Sequence, residues 1–147
     1  MRTSLFNVVV FASLLMLLSC NKESRFFEGL LMTECPQKGD TVAVDILKIP
    51  FKWDSMFYFS GRFSKREIEN IIMMPLDGCF DIGPRVIFTC DGKVIYEEDW
   101  YFTERYANYV YLSNCERNNY LHLTSSSSVI YTCKYENDSG QYYLIWQ

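Results

Sequence analysis

Histidine occurs once in the 147 residues, at His122, and that scarcity excludes a histidine-rich metal site. A Ser/His or Cys/His catalytic arrangement would have to be built on this single ring. No nucleophile motif accompanies it. Ser125 to Ser128 lies nearby in sequence but lacks the glycine-flanked elbow that exposes a reactive serine, and its composition is that of a turn. No two cysteines stand in a C-x-x-C spacing, which argues against a zinc knuckle and against thioredoxin-like redox chemistry. A glycine-rich phosphate-cradling loop is missing too. The 14 Lys and Arg residues are scattered among 18 Asp and Glu, for a formal net charge of -4, so no basic stripe exists to hold nucleic acid or anionic head groups. The chain has no internal repeat. No cofactor or metal is expected.

Long apolar runs are also scarce, and the one that exists is at the N-terminus. Met1-Arg2-Thr3-Ser4 supplies a positive charge, and Leu5 to Leu18 follows as an apolar stretch broken only by Asn7 and Ser13. That is the n-region and h-region of an export signal, shorter than the roughly 18 to 20 apolar residues that cross a bilayer core. The polar segment Asn21-Lys22-Glu23-Ser24-Arg25 comes directly after it. At the junction, Leu17-Leu18-Ser19-Cys20 resembles the lipobox of bacterial lipoproteins: aliphatic first, small before the cysteine, then the thiol that takes the diacylglyceryl group. Residues 1–19 are therefore expected to be cleaved between Ser19 and Cys20, leaving Cys20 lipidated. Residues 20–25 should form a tether and residues 26–147 a single domain. Cleavage removes Arg2 as its only charge and moves the formal net charge from -4 to -5. Each buried acyl methylene contributes about 0.8 kcal/mol to membrane attachment, so several chains hold a protein in place.

Periodicity predicts an α+β domain, an antiparallel sheet with one or two short helices packed on it. Phe26, Phe27, Leu30 and Leu31 recur at helical spacing, although Gly29 weakens a helix there. Val42, Val44 and Ile46 alternate as in a strand. Met56-Phe57-Tyr58-Phe59 reads as a strand buried on both faces. Ser64-Lys65-Arg66-Glu67 matches a capping box ahead of Ile68, Ile71 and Ile72, predicting a helix from about Lys65 to Met73 that ends before Pro75.

Asp91-Gly92 predicts a two-residue hairpin between Arg85 to Cys90 and Lys93 to Tyr96, with Ile87 facing Tyr96 and Phe88 facing Ile95. Tyr109 to Leu112 and Tyr120 to Leu123 read as further strands. A second hairpin joins Val129 to Glu136 with Gln141 to Trp146. Pairing Glu136 with Gln141 sets Tyr131 opposite Trp146, Cys133 opposite Leu144 and Tyr135 opposite Tyr142, one aromatic face. His122 should lie on the face opposite Leu121 and Leu123, exposed. The acidic run Glu97-Glu98-Asp99 should be solvated.

Trp53-Asp54, the apolar-aromatic strand after it and the capped acidic helix at Ser64-Lys65-Arg66-Glu67-Ile68-Glu69 resemble a group of small lipoproteins of the Bacteroidota type, as does the Asp91-Gly92-Lys93-Val94 hairpin. The resemblance covers about a third of the chain. It departs at Ser60-Gly61-Arg62-Phe63, where the pattern has a proline and a tyrosine. It implies placement in the cell envelope and no particular activity. Five cysteines remain besides Cys20. Export to an oxidising compartment makes Cys115 with Cys133 the first candidate bridge and Cys79 with Cys90 the second, with buried reduced thiols as the alternative.

Aromatic residues crowd at Tyr101, Phe102, Tyr106, Tyr109 and Tyr111. Two functions follow as expectations. One is a membrane-anchored, non-catalytic envelope protein that binds another protein as an accessory subunit, inhibitor or immunity factor; Ser139-Gly140-Gln141-Tyr142-Tyr143 faintly resembles the Ser-Gly loop of lipoprotein lysozyme inhibitors. The other is a glycan-binding module that stacks exposed tyrosines on sugar rings. A row of exposed, coplanar rings would favour glycan, a convex apolar patch or long protruding loop would favour protein, and His122 with Glu97 or Asp99 at the base of a deep cleft would favour an enzyme.

Overall fold

The computed structural model describes residues 25–77, 83–100, 108–113, 119–137 and 140–147. The export signal, Ser19, Cys20, Cys79, Cys115, Tyr101, Phe102 and Tyr106 lie outside these residues.

Among the described residues two helices and eight strands follow in the order α1 (Phe26–Glu34), β1 (Thr41–Asp45), β2 (Ser55–Phe59), α2 (Lys65–Ile72), β3 (Arg85–Cys90), β4 (Lys93–Asp99), β5 (Asn108–Leu112), β6 (Tyr120–Thr124), β7 (Val129–Asn137) and β8 (Gly140–Trp146), with a short 3-10 turn at Ile46–Lys48. The α+β class stands. The strands divide between two four-stranded sheets, β1-β7-β8-β5 (sheet A) and β4-β3-β2-β6 (sheet B). Every pairing is antiparallel except β5 on β8.

β2 explains why two sheets are needed. Its sequence is apolar at every position from Met56 to Phe59, so both faces must be buried. Met56 and Tyr58 join Val86, Phe88, Leu121 and Leu123 of sheet B in one core with Val44, Val110, Ile130, Tyr143 and Ile145 of sheet A. Phe57 and Phe59 point the other way and are covered, with Ile87, by Ile68 and Ile72 of α2 and by Leu76. The helix that covers them starts where the capping box predicts: the Glu67 N–H donates to Ser64 Oγ and the Ser64 N–H to Glu67 Oε2. It closes on Met73 in the left-handed region, two residues ahead of Pro75.

The β3–β4 hairpin turns on Asp91 and Gly92, both at positive φ (51° and 72°), as an Asp-Gly type I′ turn requires. Its register differs from the expected one beyond the first pairs. Cys90 faces Lys93 and Thr89 faces Val94, but Phe88 then faces Tyr96 and Ile87 faces Glu97. Ile95 is the extra residue of a β-bulge, which a count outward from the turn cannot anticipate.

The bulge decides which acid is buried. With Ile95 inserted, Tyr96 and Glu98 lie opposite the inward-facing Phe88 and Val86, while Glu97 lies opposite Ile87 on the outer face. Glu98 is buried, against the expectation of a solvated run. It is buried because a helix needs it there. Arg25, the N-cap of α1, offers no capping side chain. Instead the Phe27 and Glu28 N–H groups donate to the Glu98 carboxylate at 2.9 and 3.0 Å, and the Tyr96 hydroxyl donates to it at 2.6 Å while accepting from the Phe26 N–H. A carboxylate at the positive end of a helix supplies both hydrogen bonds and favourable charge. Arg25 itself is docked, donating to Glu28 Oε2 and to the Asp99 carbonyl.

Candidate functional site

The β7–β8 hairpin keeps its predicted register throughout: Tyr131 faces Trp146, Cys133 faces Leu144, Tyr135 faces Tyr142 and Glu136 faces Gln141. Alternation then sorts the residues. Ile130, Thr132, Tyr143 and Ile145 are buried beneath the sheet. On the other face the Tyr131 and Trp146 rings lie 20° from parallel with centroids 6.2 Å apart, and Tyr135 and Tyr142 lie 13° from parallel at 5.3 Å. Tyr111 of β5 meets Tyr142 edge-on at 5.8 Å, which extends the row across a third strand.

Neither described helix covers this face. The buried residues of α1 belong to the core between the sheets, and those of α2 to the far side of sheet B. Val129, Tyr131 and Tyr135 are accordingly 44, 45 and 38% exposed. The result is a partly exposed aromatic surface on the outer face of sheet A. Near-parallel rings at these separations are offset-stacked, so each covers part of its neighbour's face. A sugar needs a free ring face to stack on. Tyrosine and tryptophan are also the residues enriched at protein contacts.

Of the aromatic cluster at residues 101–111 only the Tyr111 ring is among the described side chains, and it belongs to the hairpin's face. The informative signal was the cross-strand pairing, which places scattered tyrosines in one row; local crowding in sequence carried no such geometry.

His122 is exposed on the outer face of sheet B, stacked on Phe57 with centroids 4.3 Å apart and planes 3° from parallel. Glu97 and Asp99 are on β4, at the opposite edge of the sheet. Three strand spacings, about 14 Å, separate the two edges, so the histidine and these acids do not converge. Glu97 instead lines an open groove of about 500 Å³ with Met74, Pro75, Asp77, Lys93 and Ile95. Burial pushes the Glu97 carboxyl above its ordinary range, and the Arg85 guanidinium, 3.8 Å away, pulls against that shift.

Asp54, Cys90 and Asp91 bring three donor atoms within 4.8 Å of one another, the one such group among the described residues. Their geometry has a structural explanation. Asp54 Oδ1 accepts from the Thr89 hydroxyl at 2.9 Å and Oδ2 accepts from the Asp91 N–H at 2.7 Å. Burial would raise this carboxyl, yet the two hydrogen bonds overcome it and hold the group below its usual range. Asp54 thus braces the hairpin turn, a role for the Trp-Asp pair that its sequence context alone did not reveal.

Cys35, Cys90 and Cys133 are free thiols, where the sequence pairs Cys133 with Cys115 and Cys90 with Cys79; both expected partners lie outside the described residues. Burial pushes the Cys35 thiol above its ordinary range. No helix among the described residues is long and apolar enough to cross a membrane.

Comparison with protein-family models, with curated proteins and with solved structures found no match.

Proposed function

We propose that this chain is an envelope lipoprotein, anchored through Cys20, that works as a non-catalytic binder of another protein through the outer face of sheet A. The observation that carries the reading is the row of Tyr131, Trp146, Tyr135, Tyr142 and Tyr111, which neither described helix covers and which is exposed at Tyr131 and Tyr135. Tyrosine and tryptophan supply large contact area at low entropic cost, and a sheet holds them in register before a partner arrives. Lipidation would confine the search for that partner to the membrane surface. An accessory subunit, an inhibitor or an immunity factor would each use such a surface. A glycan module is the weaker reading, because stacking between neighbours uses ring faces that a sugar would need.

A photo-crosslinking residue placed at Tyr131 in the membrane-anchored chain tests this, with the same residue at Arg66 on exposed α2 as control. A discrete protein adduct is expected at position 131 and not at 66. Equal labelling at both positions, or no protein adduct together with retention of the chain on a polysaccharide column, would overturn it.

A further inference from the structure

The outer face of sheet A is set apart by charge as well as by its rings. Lys, Arg, Asp and Glu make up 22% of the chain. Burial of Val44, Ile130, Tyr143 and Ile145 fixes the outward positions as the odd residues of β1 and β7 and the even residues of β8. Those positions carry Asp45 and no other charged side chain. Asp45 stands at the end of its strand and is already engaged. Its Oδ1 accepts from the Ser128 hydroxyl at 2.7 Å and from the Leu47 N–H at 3.0 Å, and these bonds hold the carboxyl below its usual range.

The far side of the molecule is different. There α2, on the outer side of sheet B, carries Lys65, Arg66, Glu67 and Glu69, and β4 carries Lys93, Glu97 and Asp99. The depletion therefore belongs to one face and does not follow from the composition. Loss of charge at the centre together with enrichment in tyrosine and tryptophan is what separates a protein contact from ordinary surface.

The same depletion sorts partners. A Lys or Glu brought against this face would lose its water and meet no opposite charge. An uncharged apolar surface meets no such penalty, and it gains by covering the exposed parts of Val129, Tyr131 and Tyr135. Given protein binding through this face, on which the inference rests, we infer that the partner's contacting surface is apolar and uncharged, and that the face rejects charge of either sign. Association then proceeds without electrostatic steering and should be indifferent to ionic strength.

A photo-crosslinking residue at Tyr135 in the membrane-anchored chain reports on the contact. Charge is added at Ala43, an exposed outward residue of β1 that faces Tyr131. Ala43→Lys and Ala43→Glu should each lower the yield of protein adduct about tenfold or more with unchanged circular dichroism, whereas Arg66→Glu on α2 should leave it as it is. Without either substitution the adduct should change by less than about twofold from about 0.1 to 1 M NaCl, a range over which the Debye length falls from about 10 to 3 Å. Should the Ala43 variants not fold, this salt series decides alone. An adduct that survives one sign of charge, an equal loss with Arg66→Glu, or a larger fall with salt overturns the inference while leaving protein binding in place. No adduct at Tyr131 or at Tyr135 removes the binding itself and the inference with it.

Discussion

The Tyr58 hydroxyl donates to the Val110 carbonyl across the core, joining the middle strand of one sheet to the edge strand of the other at 2.6 Å. The Ser113 N–H donates to the Ile145 carbonyl, so odd-numbered residues of β5 bond to β8 and Val110 points away from it. Without the tyrosine that carbonyl would be buried and lack this donor. Burial holds the phenol protonated, well above its ordinary range, as a permanent donor requires.

Tyr58→Phe should therefore cost about 1 to 3 kcal/mol, the penalty for an orphaned buried acceptor, although it removes a single oxygen. Urea unfolding measures the loss. Faster amide exchange confined to β5 would locate it.

Glu98 links stability to pH with a defined sign. Burial raises its carboxyl above the ordinary 4.5, with the Tyr96, Glu28 and Phe27 donors pulling it down only in part. Between that unfolded value and the raised folded one the native state holds more proton than the unfolded chain. The contribution is complete below 4.5 and is lost as pH rises through the folded value. Glu98→Gln cannot titrate, so its stability should fall less steeply above pH 4.5 than that of the wild type; Glu97, raised in the same direction, keeps a residual slope. The variant should also be less stable by about 1 to 3 kcal/mol at acid pH, since an amide offers one acceptor oxygen where α1 uses two. Thermal melts across pH 4 to 8 read both effects.

Two glycine-to-alanine changes should move stability in opposite directions. Gly29 lies within α1, where an added Cβ meets nothing within 4 Å, so Gly29→Ala should stabilise by about 0.5 to 1 kcal/mol. Gly92 has equal space but a φ of +72°, and Gly92→Ala should destabilise by about 1 kcal/mol through the backbone alone. Chemical denaturation of both variants checks the contrast.

Cys20→Ala should release the chain from the membrane fraction into the soluble one without altering its fold. Fractionation followed by circular dichroism of the released protein measures this. Retention of the variant on membranes would count against the lipid anchor.

Legibility in the sequence tracked the range of the cause. The Ser64/Glu67 cap, the Asp91-Gly92 turn and the whole β7–β8 register follow from residues a few positions apart, and all were readable. Helix α1 was only faintly so, because its cap is supplied by Glu98, some seventy residues away. The split into two sheets was equally hidden, since a strand apolar on both faces specifies burial without naming what buries it. The aromatic face was legible as a pairing. Its exposure was not, because no local pattern states which face of a sheet lacks a neighbour.

The Ile95 bulge makes the hairpin forgiving of one particular deletion. Removing Ile95 alone would bring Val94 next to Tyr96 and restore a plain ladder in which Phe88 still faces Tyr96 and Val86 still faces Glu98, so the first helix would keep its anchor. Ironing the bulge out with every residue kept would instead set Ile95 against Phe88 and Glu97 against Val86, turning Glu97 inward and Glu98 toward solvent. The extra residue thus selects which of two adjacent acids the core receives.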